Sequence, residues 1–195
     1  MKTIKEKAIH LLRQLIEKPS FSKEEFATAD LIESFLQREK IATHRKENNV
    51  WAYNKNYDPA KPTLLLNSHH DTVRPVNSWT KNPFEALMEN NKLYGLGSND
   101  AGGALVSLIS TFIYFHEKEM PFNLLLAAIA EEEISGKNGI ESILPLTGKI
   151  DAAIVGEPTQ MNLAIAEKGL LVLDCICTGK TGHAARDEGE NAIYK

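Results

Sequence analysis

The chain has 195 residues, a formal net charge of -4, 43% hydrophobic and 25% charged residues, the composition of an ordinary globular protein long enough to bury a core. No Lys/Arg run gives the electrostatic footprint of a nucleic-acid binder, and no stretch approaches the ~18 apolar residues of a membrane span. Nucleic-acid and membrane partners are therefore not expected, nor is a disulfide-stapled mini-protein.

The first segment, Met1 to Leu15, sets Ile4, Ala8, Leu11, Leu12 and Leu15 among charged residues. That is helix periodicity rather than an export signal, so a cytoplasmic location is expected. Pro19 to Ser22 breaks the pattern. Ser22 with Glu25 three residues on predicts a capping box opening a second helix to about Leu36. From Val50 the character changes to short continuous apolar runs, Leu64 to Leu66, Leu124 to Ala130 and Ala152 to Val155, with a helical stretch at Ala104 to Phe115. Such runs suit strands buried on both faces, so the fold class is α/β, a largely parallel mixed sheet flanked by helices. A further strand is predicted from Leu170 to Ile176, which would turn Cys175 and Cys177 to one face for core packing. A helix is expected from about Glu188. The chain stops inside that helix, so we expect a truncated fragment: a catalytic part over 1–168 and the start of a second domain over 169–195.

The residues at the end of each apolar run carry the chemistry. The first run leads into Asn67-Ser68-His69-His70-Asp71, the second into Glu131-Glu132-Glu133, the third into Gly156-Glu157-Pro158. In open α/β sheets the ligand crevice lies at the carboxyl ends of the strands, so these groups would converge at one edge. Asp100, ahead of the Ala104 to Phe115 helix, would join them. One imidazole with several carboxylates favours zinc, with cobalt or manganese as substitutes. Clustered carboxylates repel one another in a partly desolvated crevice, and a cation relieves that.

The segments Ser68-His69-His70-Asp71-Thr72-Val73, Gly97 to Gly103, Glu131-Glu132-Glu133, Gly156-Glu157-Pro158-Thr159 and Gly182-His183-Ala184-Ala185 resemble, in order and spacing, the acetylornithine deacetylase and succinyl-diaminopimelate desuccinylase family. The resemblance implies a zinc exopeptidase-like catalytic domain followed by a smaller α+β lid and dimerisation domain. It implies that His69, Asp100, Glu133 and Glu157 ligate two zinc ions, with Asp100 bridging, His69 and Glu157 on the first and Glu133 on the second. Asp71 would orient His69, and His70 would be the variable middle residue. Glu132 would be the general base for water attack on an amide, and His183 would reach a neighbouring subunit's site to stabilise the oxyanion, which implies a homodimer. Gly102 stands where the family often has Lys, and Glu131 where it often has Asp. The family's last zinc ligand, a His, would lie beyond residue 195, so the fragment is expected to hold the first metal firmly, the second weakly, and to be impaired. The expected substrate is a small N-acyl amino acid, N-acetyl- or N-succinyl-ornithine-like. The alternatives are a dipeptidase or carboxypeptidase of the same family, and a non-catalytic metal-binding or dimerisation module.

Gly179-Lys180-Thr181 lacks the earlier glycine of a phosphate loop, Gly95-x-Gly97 lacks the third glycine of a dinucleotide fingerprint, and no Ser sits in a Gly-x-Ser-x-Gly elbow.

Overall fold

The structure is a computed structural model that describes residues 3–166, 169, 171, 173, 175–183, 185–186 and 188–194. It divides into two compact units, Met1–Met161 and Asn162–Lys195.

The first unit opens with α1 (Ile4–Ile16), and the capping box forms here rather than at the second helix. The Thr3 hydroxyl accepts from the Glu6 amide (3.2 Å) while the Glu6 carboxyl accepts from the Thr3 amide (2.7 Å). Helix α2 spans Phe26–Arg38 and has no side-chain cap. The Ser22 and Glu25 side chains bond elsewhere, to Asp71 and to the Lys23 and Glu131 amides. Strands β1 (His44–Lys46) and β2 (Asn49–Tyr53) come next, then β3 (Thr63–His69), a small hairpin of β4 (Leu87–Glu89) and β5 (Lys92–Tyr94), and α3 (Gly102–Phe115). Strand β6 (Asn123–Ile129), the short α4 (Ile140–Ile143) and β7 (Ala152–Val155) complete the unit.

The main sheet has the order β1-β2-β6-β3-β7. Strand β3 runs parallel to both β6 and β7, while β1 and β2 are antiparallel additions. Period-two alternation divides the side chains between two layers. Val50, Ala52, Leu66, Leu124, Leu126 and Ala128 meet Leu11, Ile32, Leu36, Leu105, Ile109 and Phe112 of α1, α2 and α3. Trp51, Leu65, Leu125, Ala127 and Ile129 pack on the other face with Ile143 of α4. The expected parallel sheet covered by helices is therefore present, with every residue of β6 buried. Strand β7 is the edge strand among the described residues, and Ile154 is 50% exposed there. No helix among the described residues is long and apolar enough to cross a membrane.

In the second unit the described residues contain a bridge between Lys180 and Glu190 and a 3-10 turn at Ala192–Tyr194. Part of the strand expected over 170–176 lies outside the described residues. Cys175 and Cys177 are free and exposed, not packed in a core, because no strand pairs with their segment among the described residues. His183 is exposed, and its Nδ1 accepts from the Ala185 amide at 3.2 Å.

Candidate metal centre

Parallel pairing brings the carboxyl ends of β3, β6 and β7 to one edge of the sheet. His69, the last residue of β3, stands opposite Ile129, the last of β6, and Asn67 stands opposite Val155, the last of β7. The residues just beyond β6 and β7 therefore arrive beside His69. The turn after β7 is fixed on β3: the Gly156 amide donates to the Asn67 carbonyl (2.7 Å) and the Ser68 hydroxyl to the Gly156 carbonyl (2.8 Å). A side chain at 156 would press on Leu108 and Ala104 of α3, so glycine lets the chain pass close and deliver Glu157. Asp100 arrives from the loop before α3. There the Gly102 amide donates to the Gly97 carbonyl at 2.9 Å, and a Cβ at 102 would run into that carbonyl. Glycine at 102 thus suits this tight approach.

The imidazole of His69 is the buried centre of the cluster. Its Nε2 lies 3.1 Å from Asp100 Oδ1, 3.8 Å from Glu157 Oε2 and 3.9 Å from Glu132 Oε2. Two sets of ligand atoms, His69 with Glu132 and Glu157, and His69 with Asp100 and Glu133, each lie within 4.8 Å of one another. All five residues expected at the crevice from the sequence are thus together. Asp100 and Glu132 are 55% and 46% exposed at their side chains, so the cluster has a dry floor and an open mouth.

On the far side of the ring, Nδ1 donates to the Asp71 carbonyl oxygen (2.9 Å) with Asp71 Oδ1 at 3.3 Å. This fixes the ring so that Nε2 faces the carboxyls. The fully buried Asp71 carboxylate also accepts from the amides of Glu132 (3.1 Å, Oδ1) and Glu133 (3.2 Å, Oδ2) and from the Ser22 hydroxyl (2.7 Å). Burial opposes its ionisation, yet the bonds from His69, Ser22 and the Glu132 amide hold its pKa below the usual carboxylate range. The 3-10 turn Glu132–Ile134 is thereby tied to the residue that orients His69.

Burial disfavours the charged form of His69, but its bond to Asp71 and the charges of Asp71, Glu157 and Glu132 outweigh that and raise its pKa to about 9. Burial, together with Glu132, Asp100 and Glu133, pushes Glu157 up to about 7 against the pull of His69. Burial and then Asp100 raise Glu133. Burial and mutual crowding favour the protonated forms of Glu157 and Glu133, and a divalent cation is the natural replacement for those protons. A hard or borderline cation fits one nitrogen and several oxygens at this spacing. The arrangement is that of an α/β domain whose sheet edge carries a group of side chains that could hold a metal ion.

His70 and Glu131 point away from the cluster. Burial lowers His70 to a pKa of about 4, its Nε2 donates to the Asn48 carbonyl (2.9 Å), and its Nδ1 meets the Thr28 hydroxyl (2.9 Å). The Glu131 carboxyl accepts from the Asn138 side-chain amide at 2.9 Å. Sequence reasoning misses Glu25, wholly buried, whose Oε1 accepts from the amides of Lys23 (2.7 Å) and Glu131 (3.1 Å) and whose Oε2 accepts from Asn48 Nδ2 (2.8 Å). The signal is present as the Ser-x-x-Glu pair, but its helix-capping use is the commoner one.

Residues 65–170 match the model of peptidase family M20/M25/M40. The chain belongs to that family. It is 39% identical over 135 residues to the acetylornithine deacetylase of Buchnera aphidicola subsp. Acyrthosiphon pisum, covering 67% of this chain and 35% of that protein. It is 30% identical over 195 residues to the succinyl-diaminopimelate desuccinylase of Blochmanniella floridana, covering 91% of this chain and 51% of that protein. The chain thus spans about half or less of the length of these curated relatives. Among solved structures it is similar to an M20 family metallo-carboxypeptidase from Sulfolobus solfataricus, with 28% identity and a TM-score of 0.60 over 76% of this chain and 37% of that one.

Proposed function

We propose that the protein is a zinc-dependent amide hydrolase that cleaves an N-acyl amino acid, N-acetyl- or N-succinyl-ornithine-like, to the free amino acid and a carboxylate. The observation that carries the reading is His69 Nε2 facing Asp100, Glu157 and Glu132 at 3.1 to 3.9 Å, with the opposite ring nitrogen held by Asp71. His69 and Glu157 would hold one ion, Glu133 the second, and Asp100 would bridge; cobalt or manganese are the substitutes. Bound divalent ions supply Lewis acidity, which polarises a carbonyl and lowers the pKa of water towards neutral.

The chain's own groups do the rest. Glu132 reaches the open mouth of the cluster while its amide stays on Asp71, so its carboxylate can take a proton from the attacking water and return it to the leaving amine. Asp71 keeps the His69 ring and the Glu132–Glu133 turn in mutual register. His183 would stabilise the oxyanion from a second copy of the chain, which makes the protein a homodimer through the second unit. A cytoplasmic enzyme of arginine synthesis is the setting that fits such a substrate.

The names of the curated relatives favour deacylation, while the 28%-identical carboxypeptidase keeps peptide cleavage as the second reading. Release of free amine from N-acetyl-ornithine, N-succinyl-ornithine and a plain dipeptide by the full-length protein separates them. Turnover of an acyl-ornithine supports the proposal, dipeptide turnover alone moves it to the peptidase branch, and zinc binding without turnover favours a binding-only module.

Protons and metal compete for the same atoms, which predicts the pH dependence. Both folded-state pKa values are raised, Glu157 from 4.5 to about 7 and His69 from 6.5 to about 9. The stability these groups contribute without metal is complete below their unfolded values and is lost as pH rises through about 7 and then about 9. Zinc should therefore raise Tm more at pH 8 than at pH 5.5, and its binding should release protons, measurable by calorimetry in buffers of different ionisation enthalpy. A zinc-induced Tm gain that shrinks as pH rises between these values would contradict this.

A further inference from the structure

Strand β6 ends at Ile129, and the chain must then turn sharply to present Glu132 and Glu133. It does so through Glu131 in the left-handed region (φ 54°) and a single 3-10 turn, which offers little regular hydrogen bonding of its own. Three successive amides of this turn, those of Glu131, Glu132 and Glu133, are instead accepted by side-chain carboxyls from distant parts of the chain. Glu25 takes the first at 3.1 Å, and Asp71 takes the other two at 3.1 and 3.2 Å. Both acceptors are wholly buried and both are tied to one short segment ahead of α2. The Ser22 hydroxyl donates to Asp71 Oδ2 (2.7 Å), and the Lys23 amide donates to Glu25 Oε1 (2.7 Å). Asn48 completes the Glu25 carboxyl from the other side, at 2.8 Å.

A carboxyl removed from water without a cationic partner is costly, and no Lys or Arg is paired with Glu25 among the described residues. Its three donors are two backbone amides and one side-chain amide, so its contribution is to fix geometry. Helix capping does not explain it, because the Glu25 side chain makes no cap bond to α2.

We propose that the Ser22–Glu25 segment is a strap that positions the hydrolytic Glu132, with Glu25 as the positioning residue that acts through the Glu131 amide. The Glu25 carboxyl bonds to Lys23, Asn48 and Glu131 and to none of the proposed metal-binding side chains. The strap sets where β6 hands over to the carboxylate turn, and Ser22 steadies the Asp71 carboxylate that receives the next two amides. This inference rests on the hydrolase reading only for the role of Glu132.

The test compares Glu25→Ala and Glu25→Gln with wild type in the full-length protein, reading kcat and KM on acyl-ornithine, zinc content, and amide hydrogen exchange of residues 131–135 against β6. Glu25→Ala should lower kcat by about 10–100-fold, the range for loss of a partner that orients an active-site group, with KM and zinc content little changed. Exchange in the 131–135 turn should speed up by roughly tenfold while β6 stays protected. Glu25→Gln, which keeps one oxygen able to accept from Lys23 and Glu131, should recover most of kcat. An unchanged kcat in folded Glu25→Ala, an exchange increase spread evenly over β6, or a Gln variant as poor as Ala would each overturn the positioning role. If Glu25→Ala does not fold, Ser22→Ala provides the test: it should lower kcat and loosen the same turn, and wild-type values on both readouts would overturn the proposal. Absence of turnover in wild type would sink the hydrolase reading. The exchange data would then decide by themselves whether the strap orders the turn.

Discussion

Glu132→Gln is expected to lower kcat by about 10²–10⁴-fold, the usual contribution of a positioned general base, with zinc content unchanged. The substitution preserves the shape of the side chain and leaves the backbone clamp from Glu132 N to Asp71 Oδ1 intact at 3.1 Å. It removes the one function a base requires, accepting a proton. The measurement also separates two roles the geometry allows, since Glu132 Oε2 falls within the ligand-atom set of His69 and Glu157. A base leaves metal binding intact when neutralised. A ligand does not, so loss of zinc in step with activity would transfer Glu132 to the ligand set, and retention of activity would remove it from the chemistry.

Asp71→Ala is expected to be nearly as damaging by a different route. Its carboxylate is fully buried and accepts from the Ser22 hydroxyl and the Glu132 and Glu133 amides, with His69 Nδ1 at 3.3 Å. Removing it leaves the imidazole held by the Asp71 backbone carbonyl alone and leaves two part-buried amides unpaired. Zinc affinity should fall by about 10–100-fold. Stability should fall by about 3 kcal/mol, because truncating one partner of a buried polar cluster strands the others. The pH profile supplies a further check. The folded-state pKa of Asp71 is depressed, so its stabilising contribution is present above the unfolded value of 3.8 and is lost as pH falls through the lower folded one. Denaturant midpoints of wild type and Asp71→Ala should therefore differ at pH 7 and converge in strong acid. A constant difference at every pH would show that the loss is one of packing alone.

The fold was legible where burial dictates a continuous apolar run. Leu64 to Leu66 and Leu124 to Ala130 mark β3 and β6 because central parallel strands are covered on both faces. The run Ala152 to Val155 looks the same, yet among the described residues β7 is an exposed edge, since apolarity records a strand but not which neighbours cover it. The hairpin of β4 and β5 and the short β1 carry no such run, and three-residue strands are set by pairing rather than by pattern.

The cluster itself was legible because His69, Glu132, Glu133 and Glu157 lie at or just beyond strand ends on the same sheet edge, so topology alone brings them together. Two groups that support the cluster, Ser22 and Glu25, were not. Ser22 and Glu25 carry a helix-start signature, and their use on Asp71 and on the Glu131 amide depends on contacts 49 and 106 residues away in sequence. Short-range pattern is blind to such contacts. His70 shows the reverse: beside His69 in sequence, it lies across the pleat and its ring is held by Thr28 and Asn48.

Whether the His69 cluster is a divalent metal centre is tested most directly by titrating zinc into chelator-stripped protein at pH 7.5 by calorimetry, with His69→Ala alongside. Tight, proton-releasing binding is predicted in the wild type, lost in the His69→Ala variant while the fold, judged by circular dichroism, persists. Equal zinc binding by the two proteins, or none by the wild type, would contradict it.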